Sequence, residues 1–155
     1  MGPLVSEEQL RRVTGFMAEG KRDGAHAVAG GERRGDAGYF VEPTVFVGTT
    51  PEMSVQREEI FGPVVTAIPY RDESDLAAVA NDNRYGLATG IWTNDIGKAH
   101  RLARELHAGT VWVNYYNVFD AALPFGGYKE SGWGREMGAQ ALELYTETKA
   151  VCVRV

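Results

Sequence analysis

Leu10, Val13 and Met17 recur at helical spacing behind Ser6-Glu7-Glu8-Gln9, in which a hydroxyl residue is followed three positions on by an amide. The pattern predicts a helix over residues 7–21 that opens with a capping box. Gly30, Gly31 and Gly35 break up the next stretch, and the aromatic and β-branched groups at Tyr39-Phe40 and 44–47 predict short strands in a surface excursion. Farther on the pattern is more regular. Residues 64–70 read as a strand, 74–83 as a helix with Leu76, Val79 and Ala80 inward, and 88–93 as a strand, together one βαβ unit. Asn94 or Asp95 then caps a second helix whose Ile96, Ala99, Leu102, Ala103 and Leu106 share a face, Gly109 ends it, and 110–114 follows as a strand. A β-α-β-α-β order implies parallel strands covered by helices, with right-handed crossovers. Val111-Trp112-Val113 lacks polar alternation, as a strand buried on both faces does. The fold class is therefore α/β.

After Asn114 the texture changes to an aromatic and glycine-rich loop over 115–138, longer than structureless connections usually are and of the kind that carries function. A short helix near 139–144 and a terminal strand over 146–155, with Val151, Val153 and Val155 alternating, complete the chain. That strand has no sequential hairpin partner. It must pair with another copy, fold back on its own sheet or stay exposed, and pairing between copies is the expectation.

Composition narrows the function classes. A length of 155 residues, 44% of them hydrophobic, suits one core. The balance of 21 acidic against 16 basic side chains gives a formal net charge of -5, which leaves no basic footprint for nucleic acid or an anionic membrane. The start carries no charged leader before an apolar run, and no stretch of about 18 apolar residues occurs. The expectation is a soluble, cytoplasmic chain. Cys152 is the one cysteine, so no intrachain disulfide or cysteine-rich zinc site can form. His100 and His107 share a helix face without a cysteine or carboxylate at ligand spacing, so no metal is expected. Gly132-x-Gly134-x-x-x-Gly138 has the wrong spacing for a dinucleotide loop and no strand immediately before it.

Three segments stand in order: Glu58-Glu59-Ile60-Phe61-Gly62-Pro63, then Gly109-Thr110-Val111-Trp112-Val113-Asn114, then Pro124-Phe125-Gly126-Gly127-Tyr128-Lys129 with Ser131-Gly132 and Gly134-Arg135-Glu136. In this order they resemble the latter part of the catalytic domain of NAD(P)-dependent aldehyde dehydrogenases. The likeness also takes in Gly2-Pro3-Leu4-Val5 and Tyr145-Thr146-Glu147, so it covers essentially the whole chain. It implies part of a three-layer α/β catalytic domain over residues 1–144 and a terminal oligomerisation strand over 145–155. Members of that family are much longer. Their Rossmann-like cofactor domain and catalytic cysteine precede the matching stretch, so the expectation is a fragment without the nucleophile. In the family a cysteine thiolate adds to the aldehyde, hydride passes to the nicotinamide, and water hydrolyses the resulting thioester. Cys152 lies in the strand-like Ala150-Val151-Cys152-Val153 and reads as a small apolar residue rather than a replacement nucleophile.

The resemblance implies particular residues. Glu59 would hold the nicotinamide ribose, a task suited to an acceptor-only carboxylate, where a lone glutamate would be a solvated acid. Phe61 would lie against the nicotinamide end of the cofactor, or else pack in the core. Gln9 has two credible jobs, closing the capping box on Ser6 or bonding the adenosine-side ribose. Phe119 and Phe125 would line an aldehyde tunnel together with Tyr115 and Tyr116, although loop aromatics also serve interfaces and cores. Glu136 matches a carboxylate proposed to relay protons during thioester hydrolysis, and otherwise pairs with Arg135 or solvent. Arg135 and Glu147 would tie the loop to a subunit interface, as an ion pair if they meet. The resulting expectation is part of an enzyme oxidising an apolar or aromatic aldehyde to the acid with NAD or NADP. It would be inactive as an isolated chain and would associate as a homo-oligomer or with an amino-terminal part. The alternative is a non-catalytic binding or oligomerisation module.

Overall fold

Ser6 has extended backbone and its Oγ accepts from the Gln9 N–H at 3.1 Å, which starts helix α1, Glu7–Arg22. Glu7 and Glu8 in the first turn and Lys21 and Arg22 in the last complement the helix dipole. Leu10, Val13, Met17 and Gly20 form its buried face. The computed structural model describes residues 1–155 and comprises two compact units, Met1–Arg71 and Asp72–Val155.

In the first unit, α1 packs with strands β1 (His26–Ala29), β2 (Thr44–Val47) and β3 (Val64–Thr66) and the single-turn helix α2 (Ser54–Arg57). β1 pairs antiparallel with β2, and β2 pairs parallel with β3. The supposed surface excursion is an integral part of this unit, because β2 alternates inward: Phe46 is fully buried beside Val13 and Met17, and Val41 joins them. Tyr39-Phe40 forms no strand, and only Val41 makes an isolated bridge, to Arg33. Gly30 and Gly31, both at positive φ, turn the chain at the end of β1, a strand that local periodicity did not reveal. The strand expected over 64–70 stops at Thr66, after which the Ala67 N–H makes one more bond to Phe46 O at 2.8 Å. Pro69 has no N–H with which to continue a ladder.

In the second unit a 3₁₀ turn, Glu73–Asp75, leads into α3 (Leu76–Asn81), followed by β4 (Tyr85–Gly86), β5 (Ala88–Ile91), α4 (Ile96–Glu105), β6 (Thr110–Val113), β7 (Tyr128–Lys129) and a second 3₁₀ stretch, Ala139–Tyr145. β5 and β6 pair in parallel around α4, and β4 pairs antiparallel with β7. This second βαβ unit is the one the sequence predicts. The first is corrected, since β3 pairs with β2 and β5 with β6. In α3 the inward residue is Ala77, while Val79 and Ala80 are exposed. Asp95 caps α4, its Oδ1 accepting from Lys98 N at 3.0 Å. Ala99 is buried and Leu102, Ala103 and Leu106 are half-buried, but Ile96 lies outside this face. α4 ends at Glu105, before Gly109, whose task is different: a Cβ there would stand 1.8 Å from Gly126 O. Residues 146–155 are exposed and make no ladder, so they do not fold back onto a sheet of this chain. The α/β class stands, carried by the parallel pairs β2–β3 and β5–β6.

Candidate functional site

Two clusters gather the residues singled out by the sequence, one in each unit. In the first, Ile60 is a core residue, and the side chains on either side of it, Glu59 and Phe61, are turned out to solvent. Phe61 is 76% exposed and has φ 57, a left-handed conformation rare for a bulky aromatic. The backbone here is held from α1. Arg12 Nη2 donates to Glu59 O at 2.6 Å, and Gln9 Nε2 donates to Ile60 O at 3.0 Å and to Phe61 O at 2.7 Å. Gly62 fits against the same helix, since a Cβ there would stand 2.6 Å from Val13 Cγ2. The capping box is thus half formed: the Ser6 hydroxyl plays its part, but the Gln9 amide bonds the 60–61 carbonyls and not the Ser6 N–H. Gln9, Glu59 and Phe61 stand together. What they present is two carboxylate oxygens and an aromatic face, a set that fits a ribose diol joined to a planar ring.

The second cluster is built on β6. Trp112 is buried and its Nε1–H donates to Val118 O at 2.9 Å, fastening the aromatic loop to the strand. Tyr116 and Phe119 meet the Trp112 ring edge-on, at centroid distances of 4.9 and 5.8 Å, and Phe125 meets Phe119 at 4.9 Å. Thr110, Trp112, Tyr115, Phe119, Leu123 and Pro124 are among the residues lining a cleft of about 450 Å³. Asp120 is the one ionisable acid on its wall, and no lysine or arginine lines it. Thr110 Oγ1 is buried without a hydrogen-bond partner.

The loop is fixed by its backbone. Asn114 has φ 60 where β6 ends, and its side-chain amide bonds Thr93 both ways, Oδ1 accepting from Thr93 N and Nδ2 donating to Thr93 O, each at 2.9 Å. Phe125 and Glu136 exchange both backbone bonds at 2.7 Å, while the Glu136 side chain is exposed. Arg135 directs Nη1 to the carbonyls of Gly127 and Gly134 at 2.9 and 2.8 Å and stacks on Tyr128. Within this chain Arg135 and Glu147 form no ion pair, and the Arg135 guanidinium is taken up inside its own loop. Lys129 Nζ donates to Asn81 O and Asn83 O at 2.8 and 2.9 Å, anchoring β7. The sequence motifs include Trp112, Asn114 and Lys129 but give none of them a part in the site, and Arg12 lies in no motif. Only Trp112 carried a usable signal, a large indole in a strand that runs directly into an aromatic loop.

The aldehyde dehydrogenase family model matches residues 1–151. The chain belongs to the aldehyde dehydrogenase family. It is 57% identical over 155 residues to a provisionally named aldehyde dehydrogenase, DhaS, of Bacillus subtilis (strain 168), with all of this chain and 31% of that protein aligned. An NAD+ complex of an aldehyde dehydrogenase from Bacillus cereus superposes on the whole chain with a TM-score of 0.96 at 52% identity, over 32% of its own length. The indole-3-acetaldehyde dehydrogenase AldA of P. syringae, solved with NAD+ and IAA, superposes with a TM-score of 0.95 at 42% identity, again over all of this chain and 32% of that one. The chain thus spans about a third of the length of the aldehyde dehydrogenases it matches. NAD(P) is the cofactor of this family, and no helix of the chain is long and apolar enough to cross a membrane. Its single cysteine, Cys152, is exposed in the unpaired terminal segment.

Proposed function

We propose that this chain is the carboxyl-terminal part of an NAD(P)-dependent aldehyde dehydrogenase that oxidises an apolar or aromatic aldehyde to the carboxylic acid. The observation that carries the reading is the presentation of Glu59 and Phe61 on either side of buried Ile60, on a backbone held by α1. NAD(P), when bound, takes up the hydride from the aldehyde carbon. Glu59 would accept bonds from the ribose hydroxyls at the nicotinamide end, Phe61 would limit the swing of the ring, and Gln9 has one further acceptor, Oε1, to offer the adenosine-side ribose. The substrate assignment rests on the aromatic cleft, where exposed Phe119 and Leu123 offer apolar surface beside buried Trp112 and whose wall holds no cationic group. Phe125 supports the Phe119 face, and Glu136, joined to Phe125 through the backbone, would pass protons to solvent during hydrolysis only if the rest of the enzyme covers its side chain, which is exposed in this chain.

The isolated chain is inactive in this reading, because Cys152 sits in an exposed segment with no residue packed around it to orient it toward a cofactor. Purified protein is expected to leave NAD unreduced with aliphatic and aromatic aldehydes; turnover abolished by Cys152→Ser would instead make Cys152 the nucleophile. In the complete enzyme, Glu59→Gln is expected to slow hydride transfer while leaving cofactor capture nearly intact. An unchanged single-turnover rate of NAD reduction would remove Glu59 from the site.

A second reading, a non-catalytic oligomerisation module, is favoured by one observation: Val151 and Val153 are 78% and 76% exposed in a segment with no ladder partner. A homo-oligomer joined through residues 145–155, located in the cytoplasm where a lone thiol stays reduced, is compatible with both readings.

A further inference from the structure

Phe61 is the one non-glycine residue of the first unit with positive φ. Such an outlier persists only where its surroundings over-determine it, and the surroundings can be named. In extended backbone successive carbonyls point to opposite sides. At Ile60 and Phe61 the left-handed turn brings both carbonyls to a single nitrogen, Gln9 Nε2, at 3.0 and 2.7 Å, and the preceding carbonyl, of Glu59, accepts from Arg12 at 2.6 Å. Gln9 and Arg12 lie three residues apart on α1 and so face the same way. The Ile60 side chain anchors the segment in the core, and Gly62 abuts Val13, so the chain has little room to choose another path.

We propose that Gln9 and Arg12 are positioning residues: by binding three successive carbonyls they hold Phe61 in the left-handed conformation. They thereby set the direction of the Phe61 ring and of the Glu59 carboxylate. The functional meaning of this clamp rests on the cofactor-edge role assigned above to Glu59 and Phe61, but its existence does not. Gln9 acts here through its N–H groups and the loop, which differs from both of the jobs its position suggested.

The test uses the labelled 155-residue chain and reads the backbone of Phe61 by NMR, from its three-bond amide coupling and carbon shifts, together with amide exchange over 59–62. Gln9→Glu preserves shape but substitutes a carboxylate for the donating amide. It is expected to move Phe61 to an extended signature and to speed exchange in this segment, with the signals of β1 and β2 unchanged. Arg12→Met should loosen the Glu59 end in the same way, and Arg12→Lys, which keeps a donor, should restore part of it. If either variant fails to fold, the other carries the test. A left-handed Phe61 signature that persists in a folded Gln9→Glu or Arg12→Met chain overturns the clamp. In the complete enzyme, the same variants and Glu59→Gln are compared for cofactor binding and single-turnover hydride transfer. A shifted Phe61 signature with both quantities unaffected by all of them would leave the clamp standing and remove the cofactor role.

Discussion

Thr44 is a polar side chain in the interior of the first unit, and its hydroxyl is fully used: Oγ1 accepts from Gly31 N and donates to Glu42 O, each at 2.8 Å. Thr44→Val keeps the shape and removes both bonds, leaving the Gly31 N–H without its acceptor. The expected loss is about 1–3 kcal/mol of unfolding free energy, the usual penalty for an orphaned buried donor, read as a lower urea midpoint. Thr44→Ser should lose much less, and equal midpoints for Thr44→Val and the parent would show that the hydroxyl is dispensable. Gly109→Ala is a steric case. Its Cβ would stand 1.8 Å from Gly126 O, so the turn that carries Phe125 must move, at a cost of about 1–3 kcal/mol or more. Near-ultraviolet circular dichroism should report the change through the Trp112, Phe119 and Phe125 contacts; an unaltered spectrum with unaltered stability would contradict this. Gln9 shows what was legible at this scale. Ser6 and Gln9 at capping-box spacing announce the helix start, but the amide's real partners, Ile60 O and Phe61 O, lie 51 and 52 residues away and leave no local trace.

Helix α4 depends on its cap. The N–H of Lys98, then that of Gly97, with the nearby charges of Arg101 and Lys98, hold the Asp95 carboxyl below its ordinary value. A depressed folded-state pKa means that the contribution of this group is present above the unfolded-state pKa and fades as pH falls through the folded one. Asp95→Ala should therefore raise the exchange rate of the first α4 amides at neutral pH, and the gap between variant and parent should close in strong acid. A gap that stays constant down to strongly acidic pH would rule out the charged cap. Elements of this kind are readable, because a cap and an apolar stripe are local: α1 begins at the predicted residue and α4 follows Asp95, one of the two caps the sequence offers. Strand pairing is not. Sequence order alone joins residues 64–70 to 88–93, whereas the ladder of β3 with β2 depends on the inward alternation of Thr44 and Phe46. The two-residue strands β4 and β7 are too short to show any period, and Lys129 holds β7 in place through carbonyls more than forty residues away.

The whole molecule exposes apolar surface at its carboxyl end that nothing in the chain covers. Tyr145, Val151 and Val153 are all more than three-quarters exposed. Unpaired backbone beside such side chains templates pairing with another chain. The intact protein is expected to gain mass with concentration in sedimentation, and a version ending at Tyr145 is expected to remain monomeric over the same range. Two well-folded monomers of equal behaviour would show that residues 146–155 play no part in assembly. The family resemblance was legible in part because some of its motifs lie where the backbone makes close approaches, at Gly62, Gly109, Gly126 and Gly127, where added side-chain atoms would collide. What assembles around the chain was not legible, since an alternating apolar end indicates a strand without naming its neighbour.

Asn114 has a consequence for how such a protein diversifies. Its side chain is a primary amide doing the work of a peptide group: it completes the hydrogen-bond ladder with Thr93 while the main chain veers away. The ladder between β5 and β6 is thus closed by a side chain where the aromatic loop begins, and beyond it the loop is tied to the strand through Trp112. Changes between Asn114 and Phe125 that keep the 118 carbonyl and the rings of Tyr116 and Phe119 against Trp112 should leave the amide protection of β5 and β6 intact, which makes the remainder of this stretch an exchangeable cassette on a fixed socket.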